Sequence, residues 1–325
     1  MTRFLHVANG TSTTATIHAA GLPGRLSIWA DVLHDGPVPS GLSGDALLEV
    51  RARHLAGPAG VSPDDITAEL TRWRAAITAE DPFDELVLWY EHDLFDQLNL
   101  IQLLSWLVTL PGGAPRTTLV SINTFPGRDH FKGLGELTPP ELASLFGVRQ
   151  PVSASQFALA QSSWQAFRSP DPRSIEQLLG GDTAALPFLA AALGRHLEEF
   201  PWAGDGLSRT ERRLLELVAP GPTRLGAIFP RMHDLGTAFY IADLSFLDVA
   251  TGLAAQPPGL IAVDPATDRT LSGVASLTAH GQAVRGGGVD RVRRWGIDRW
   301  LGGVHLAGTG EMWRWNPEAK RLVFA

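Results

Sequence analysis

Short apolar runs alternate along the chain with longer stretches whose apolar residues recur every three or four positions, the pattern of strands followed by amphipathic helices. Arg3 to Ala8 is a mostly apolar run that stops at Asn9-Gly10-Thr11-Ser12, a turn able to cap a helix over Thr14 to Ala20. After the punctuation Gly21-Leu22-Pro23-Gly24, Leu26 to Ala30 predicts a second strand running into Asp31-Val32-Leu33-His34-Asp35-Gly36-Pro37. Residues 44–56 and 63–79 predict amphipathic helices. Glu85 to Tyr90 predicts a third strand, apolar enough for burial on both faces. It ends in Glu91-His92-Asp93, ahead of an apolar helix over Gln97 to Leu107. Thr117 to Ile122 predicts a fourth strand, ending at Asn123. This alternation predicts an α/β fold over residues 1–137: a mainly parallel, Rossmann-like sheet with helices on both faces.

The period then turns helical. Helices are expected from Pro139, over Ser153 to Phe167 and over Thr183 to Glu199, so residues 138–204 read as a helical segment packed on the sheet. Asp205-Gly206-Leu207-Ser208 is a boundary, and Ser208 with Glu211 forms a capping box. A helix follows to Val218, a second to Met232 and a third over Gly236 to Thr251. A hairpin joins Leu260–Val263 to Leu271–Leu277 through Asp264-Pro265-Ala266-Thr267-Asp268, and a short helix opens at Leu277 to Gly281. Three helices and a hairpin predict a winged-helix-like domain over 205–325, ending in an aromatic tail.

Composition narrows the chemistry. At 325 residues and 44% hydrophobic, the chain can bury a sizeable core, and its length suits about two domains. No apolar run is long enough to cross a membrane, and the N-terminus carries no signal pattern, which predicts a cytoplasmic protein. The absence of cysteine excludes disulfides, thiolate zinc sites and Cys nucleophiles, so any metal must be held by His, Asp, Glu or amide oxygen. Residues 1–203 carry 13 basic and 22 acidic side chains; residues 204–325 carry 14 and 12. An acidic body and a third helix with no Lys or Arg from Thr237 to Phe246 make nucleic acid an unexpected partner. Trp300, Trp313 and Trp315, beside Arg291, Arg293, Arg294 and Arg299, fit a packing surface better than a base-stacking one.

In an open parallel sheet, ligands bind beyond the carboxyl ends of the strands. Here those ends carry Asn9, Thr11 and Ser12; Asp31, His34 and Asp35; Glu91, His92, Asp93, Asp96 and Gln97; and Asn123 with Arg128, Asp129, His130 and Lys132. Asp31, His34, Glu91, His92 and Asp93 are the candidate reactive set, with Asn9, Thr11, Ser12, Asp96, Gln97 and Asn123 as candidate substrate-binding residues. Each also has an ordinary structural reading. Ser12 or Thr11 would cap a helix, Asp93 would cap the next one and Asp96 would favour its dipole, and the Asp31–Pro39 loop would be an ordered turn.

His6-Val7-Ala8-Asn9-Gly10-Thr11-Ser12, Trp29-Ala30-Asp31-Val32-Leu33-His34-Asp35-Gly36-Pro37 and Trp89-Tyr90-Glu91-His92-Asp93-Leu94-Phe95-Asp96-Gln97-Leu98 together resemble the bacterial family called domain of unknown function 1835, over roughly residues 4–130. The tail, with Leu277 to Gly281 and Gly296 to Gly303, resembles the extension of its actinobacterial members. The resemblance implies no particular activity. Related sequences often have Asp where this chain has Thr11, so a catalytic role for that carboxylate would mean an altered site here.

Two classes of function follow. The first is a small-molecule enzyme of hydrolase or group-transfer type at the strand ends, with a divalent metal as candidate cofactor. A serine hydrolase using Ser12 is a variant that the absent Asp disfavours. The second is a non-catalytic ligand sensor or regulatory protein that binds a protein partner through its C-terminal domain.

Overall fold

A computed structural model of the chain describes residues 2–79, 81–129, 131–236, 238–255, 257–265 and 270–325. His130, Thr237 and the turn residues Ala266, Thr267 and Asp268 of the sequence reading lie outside the described residues.

Strand β1 (Phe4–Ala8) leads through helix α1 (Thr11–Ala19) to β2 (Arg25–Ile28), which pairs with it in parallel. The chain then runs through the two-residue β3 (Gly36–Pro37), α2 (Gly44–Ala59) and α3 (Pro63–Thr78). It returns as β4 (Glu85–Tyr90) on the other side of β1, with Val7 opposite Leu88. Helix α4 (Leu94–Leu107) connects β4 to its parallel neighbour β5 (Thr117–Ser121), and after α5 (Pro139–Phe146) the short β6 (Gln150–Pro151) closes the edge antiparallel. The five strands lie in the order β2-β1-β4-β5-β6. The connections out of β1 and β4 thus leave in opposite directions, and the carboxyl ends of these two strands flank a topological switch point.

Alternation along β4 shows why it is apolar throughout. Leu86, Leu88 and Tyr90 face a layer containing α4, α6 (Ala154–Arg168), α7 (Arg173–Leu179) and α8 (Leu189–Leu197). Val87 and Trp89 face the opposite layer, with Ile17 of α1 and Leu142 and Leu145 of α5. Helix α4 is sandwiched between sheet and helices, so it is apolar almost all round. The helix expected from Thr183 starts only at Leu189, because Pro187 supplies no N–H and its ring disfavours helical geometry before it.

Residues 207–295 form a second core of their own, with Leu214, Ile228, Phe246 and Ile261 at its centre. It is built from α9 (Arg209–Val218), β7 (Thr223–Arg224), α10 (Leu225–Met232), α11 (Asp243–Ala255), the antiparallel pair β8 (Ile261–Asp264) and β9 (Val274–Leu277), α12 (Ala279–Arg285) and α13 (Arg291–Trp295). Ser208 and Glu211 form the expected capping box of α9. The third helix departs from expectation: α11 begins at Asp243, not Gly236. Gly236 has φ 122°, outside helical geometry, and the residues that follow run across to α4 instead.

The expected single C-terminal domain, 205–325, divides. Strands β10 (Ile297–Gly302), β11 (Val304–Gly308), β12 (Trp313–Asn316) and β13 (Arg321–Phe324) return to the first body. β10 pairs with β3, and Leu301, Val304, Leu306, Trp315 and Leu322 complete the first core. The apolar alternation of these strands requires a covered face, and the first body supplies it. Trp313 and Trp315 are therefore packing residues. Among the described residues, no helix is long and apolar enough to cross a membrane.

A buried carboxylate cluster at the strand ends

The two ends of β4 treat buried acids differently. At the start of the strand, Glu85 accepts a hydrogen bond from Thr118 (2.8 Å) and is paired with Arg149 (2.6 Å) and Arg116 (3.4 Å). Burial works to raise its pKa, but these partners hold it below the ordinary glutamate value. Elsewhere Asp31 is paired with Arg51, Glu199 with Arg195, and Asp205 with Arg212. Just beyond the end of the same strand, Glu91, Asp93 and Asp96 are all at most 5% exposed, and each offers an oxygen within 4.8 Å of the others. Among the described residues, no Lys or Arg pairs with any of the three. Burial, together with the neighbouring carboxylates, pushes Glu91 and Asp96 well above the usual carboxylate range. Burial pushes Asp93 up as well, against the N–H groups of Asp96 and Phe95 that favour its ionised form. Such a cluster must be neutralised, either by protons or by a cation.

Local structure fixes each member. Asp93 is the N-cap of α4, its Oδ1 accepting from the N–H of Asp96 at 3.0 Å. Asp96 sits one turn into that helix. Glu91 leaves the strand, and its main-chain carbonyl is clamped by the amide of Gln97 at 2.6 Å. Asn9, just past β1, reaches across the switch point. Its Nδ2 donates to Glu91 Oε1 (3.2 Å) and Asp96 Oδ2 (3.0 Å), while its Oδ1 accepts from Thr13 Oγ1 (2.8 Å). The N–H of Leu134 donates to Glu91 Oε1 at 2.5 Å. Gly133 makes that approach possible, since a Cβ there would lie 2.2 Å from Glu91 Oε2. Asp96 Oδ1 is buried and accepts no hydrogen bond among the described residues.

The remaining candidates spread outward from this centre. α1 starts at Thr11 with Gly10 as N-cap and no side-chain cap, so neither Thr11 nor Ser12 serves as the expected cap. Both are exposed, and Ser12 Oγ would lie 2.7 Å from a Cβ on Gly135. His92 is buried between Glu91 and Asp93 in sequence, with its ring beside Phe188. Asp31 stands apart from the cluster. Arg51 grips it through Nη2 (2.8 Å) and Nε (3.1 Å), and its backbone exchanges two hydrogen bonds with the side chain of Asn99, both 2.9 Å. His34 packs its ring against Phe95 and lines a cavity between the two cores. Asn123 is exposed after β5, and no hydrogen bond ties it to the cluster among the described residues. The structure thus brings together Asn9, Glu91, Asp93, Asp96 and Gln97, and leaves Asp31, His34 and Asn123 outside.

Sequence reasoning missed Thr13, Gly133 and Leu134. The Gly133-Leu134-Gly135 spacing was the available signal, because two glycines around one residue mark close backbone approach. It also missed Arg51, which shares a helical face with Leu47 and Leu48 and so has to be buried.

Oxygen donors alone make up the cluster, a set suited to a hard divalent cation such as Mg²⁺, Mn²⁺ or Ca²⁺ rather than zinc or copper. An uncapped helix N-terminus, that of α1, opens next to it, and a Cβ on Gly10 would meet nothing within 4 Å. Searches against protein-family models and against curated proteins gave no match to this chain.

Proposed function

We propose that the protein is a small-molecule enzyme of the hydrolase or group-transfer type, acting at the switch point between β1 and β4. The observation that carries this reading is that, among the described residues, Glu91, Asp93 and Asp96 are the buried acids without an Arg or Lys counter-charge, whereas Asp31, Glu85, Glu199 and Asp205 are paired with arginine. A site that costs stability without compensation is a candidate for function. Glu91 and Asp96 hold a divalent cation, with Asp93 completing the set. Asn9 fixes the two carboxylates in register, and the N–H groups opening α1 receive an anionic group of the substrate. A bound cation would polarise a substrate oxygen and lower the pKa of a water. Ser12 and His92 stand at the edge of this arrangement as groups able to orient substrate or move a proton. The resemblance to the domain of unknown function 1835 family is compatible with this reading but adds no reaction to it.

The test is a thermal-shift titration of chelator-treated protein with Mg²⁺, Mn²⁺ and Ca²⁺. A cation at 100 times its Kd adds about 2.7 kcal/mol, which raises Tm by several degrees. The shift is expected in the wild type and absent in Asp96→Asn. No shift with any of the three cations would sink the proposal.

A second reading has its own support. We propose that the unit of α9, α10, α11, β8 and β9 acts as a winged helix and docks a protein rather than DNA. No basic residue lies between Ala238 and Phe246, whereas Tyr240 and Leu244 expose apolar surface. In that case the strand-end site would sense a ligand instead of turning it over.

A further inference from the structure

The chain crosses between the first body and the second core twice, and the two crossings lie side by side. The outward crossing is Asp205-Gly206-Leu207, and the return runs from Asp290 to Gly296. The N–H of Arg291 donates to the carbonyl of Asp205 at 2.9 Å. Gly206 has φ 73°, and a Cβ there would lie 2.6 Å from Asp290 Oδ1, so glycine is what lets the two segments approach this closely. Arg212 on α9 pairs with Asp205, and Arg291 pairs with Glu211 at 2.7 Å. The first turn of α9 is also tied to the end of α8. The N–H of Arg209 donates to the carbonyl of Glu198 at 3.1 Å, and Thr210 Oγ1 donates to Glu199 Oε1 at 2.6 Å.

A further contact is made at the strand-end site itself. The N–H of Leu94 donates to the carbonyl of Ala238 at 3.1 Å. Leu94 opens α4, the helix that Asp93 caps and that carries Asp96 in its first turn, so the second core grips the turn that holds two of the three clustered carboxylates. The Tyr240 ring lies 6.4 Å from that of Phe95 and 5.7 Å from that of His233, whose Nε2 donates to the carbonyl of Ile241 at 3.1 Å. Burial and the charges of Asp93, Glu91 and Asp96 raise the pKa of Tyr240, as befits a phenol beside the cluster. Helix α11 also passes close to α2.

A cavity of about 310 Å³ lies between these two sets of contacts, with Thr210 and Arg291 from the crossings and Leu94 and Tyr240 from the site among its lining residues. The apolar clusters on either side of it are separate. Two units joined by short adjacent crossings, and bridged by ion pairs and hydrogen bonds around unfilled space, are built to move as rigid bodies.

We propose that the second core is a hinged lid on the strand-end site, turning about residues 205–207 and 290–296 and closed by the clasp of Ala238 and Tyr240 on the first turn of α4. This rests on the cation reading of that site. Closure and cation binding both need the turn of Asp93 and Asp96 in one arrangement, so each favours the other. A lid docked there excludes water from a substrate held at the cation.

The chain has no cysteine, so Glu69→Cys on α3 and Arg285→Cys on α12, both exposed, can be spin-labelled together and their separation read by pulsed electron–electron double resonance. Leu94→Pro removes the donor of the clasp. Proline suits the first position of a helix, and Asp93 before it is already extended, at φ −82° and ψ 172°. Leu94→Ala is the control, which also loses the leucine side chain but keeps the N–H. In chelator, Leu94→Pro should add a second, open separation that Leu94→Ala lacks, and saturating Mg²⁺ should shift it back to the closed one. Leu94→Pro should also weaken Mg²⁺ binding about fivefold relative to Leu94→Ala. Tyr240→Ala leaves α4 untouched and should open the lid in the same way, whereas Tyr240→Phe should not. Tm confirms that each variant is folded. One separation, the same in all four variants, overturns the lid, and a Tm rise with Mg²⁺ in those proteins leaves the cation reading standing. An open state in Leu94→Pro with no Mg²⁺ binding by any protein overturns the cation reading and the coupling with it.

Discussion

His196 carries its ring into the first core between Phe167 and Phe200, and neither ring nitrogen has a hydrogen-bond partner among the described residues. Burial lowers its pKa from 6.5 to about 3, so it stays neutral in the folded protein through mild acid. The unfolded chain takes up that proton near pH 6.5. This contribution to stability is therefore complete above pH 6.5 and is lost as pH falls towards 3, at up to about 1.4 kcal/mol per unit. His196→Leu should flatten the fall of Tm between pH 6.5 and 4, measured by scanning calorimetry. An unchanged slope would place the acid sensitivity elsewhere. Arg51 gives a second prediction at this scale. Arg51→Met strands Asp31 as a buried carboxylate without its partner, at an expected cost of about 3–5 kcal/mol in urea unfolding. Arg51→Met with Asp31→Leu should recover most of that loss. Asp31 also shows how far single residues were legible. Its place after a strand marked it as a site candidate, but its partner lies 20 residues away on α2, and only the fold reveals that the carboxylate is already spent on Arg51. Glu91, Asp93 and Asp96 were legible because sequence neighbours at a strand end stay neighbours in space. Leu134, 43 residues beyond Glu91, was not.

At the scale of elements, Asp93 has two roles that a substitution can separate. Ser, Asn and Asp are nearly equivalent N-caps, whereas only Asp brings a carboxylate. Asp93→Ser should leave Tm in chelator nearly unchanged while abolishing most of the cation-induced shift. A large loss of Tm in chelator with the shift retained would reduce Asp93 to a cap. The same chemistry explains which boundaries the pattern predicted well. Strand β4 matched its expected limits because it is apolar from end to end and flanked by charge. The capping box at Ser208 likewise marked the start of α9. Helix α4 begins three residues before the expected Gln97, since Asp93 caps it and Leu94 and Phe95 read equally well as strand or helix. Helix α11 was misplaced because Ala238 to Ala242 is held by tertiary contacts. The carbonyl of Ala238 accepts from the N–H of Leu94 at 3.1 Å, and Tyr240 lies against Phe95 with ring centroids 6.4 Å apart. No local propensity encodes such a contact.

Across the whole molecule, the two cores share a chain but not a sequence order. Trp295 packs with the second core, and Ile297, two residues later, packs with the first. The sequence reading took this stretch as an aromatic tail, since the alternation of Trp313 and Trp315 says that a face is covered but not which core covers it. Trp315→Ala should therefore act at a distance in sequence. Removing this side chain, 7% exposed, should cost about 3–5 kcal/mol and speed hydrogen exchange in β1 and β4, while α9 to α11 keep their protection. Faster exchange in α9 to α11 as well would mean that the two cores unfold as one.

The return of β10–β13 to the first body also sets an order of events during synthesis. Residues 207–295 have their whole core within one continuous stretch and can fold as soon as it has left the ribosome. The first body begins to emerge much earlier, but β3 then has no β10 to pair with, and the places of Leu301, Val304 and Trp315 stand empty. The part of the protein made first is thus finished after the part made in the middle. Until β10–β13 arrive, its open apolar face is a natural target for chaperones.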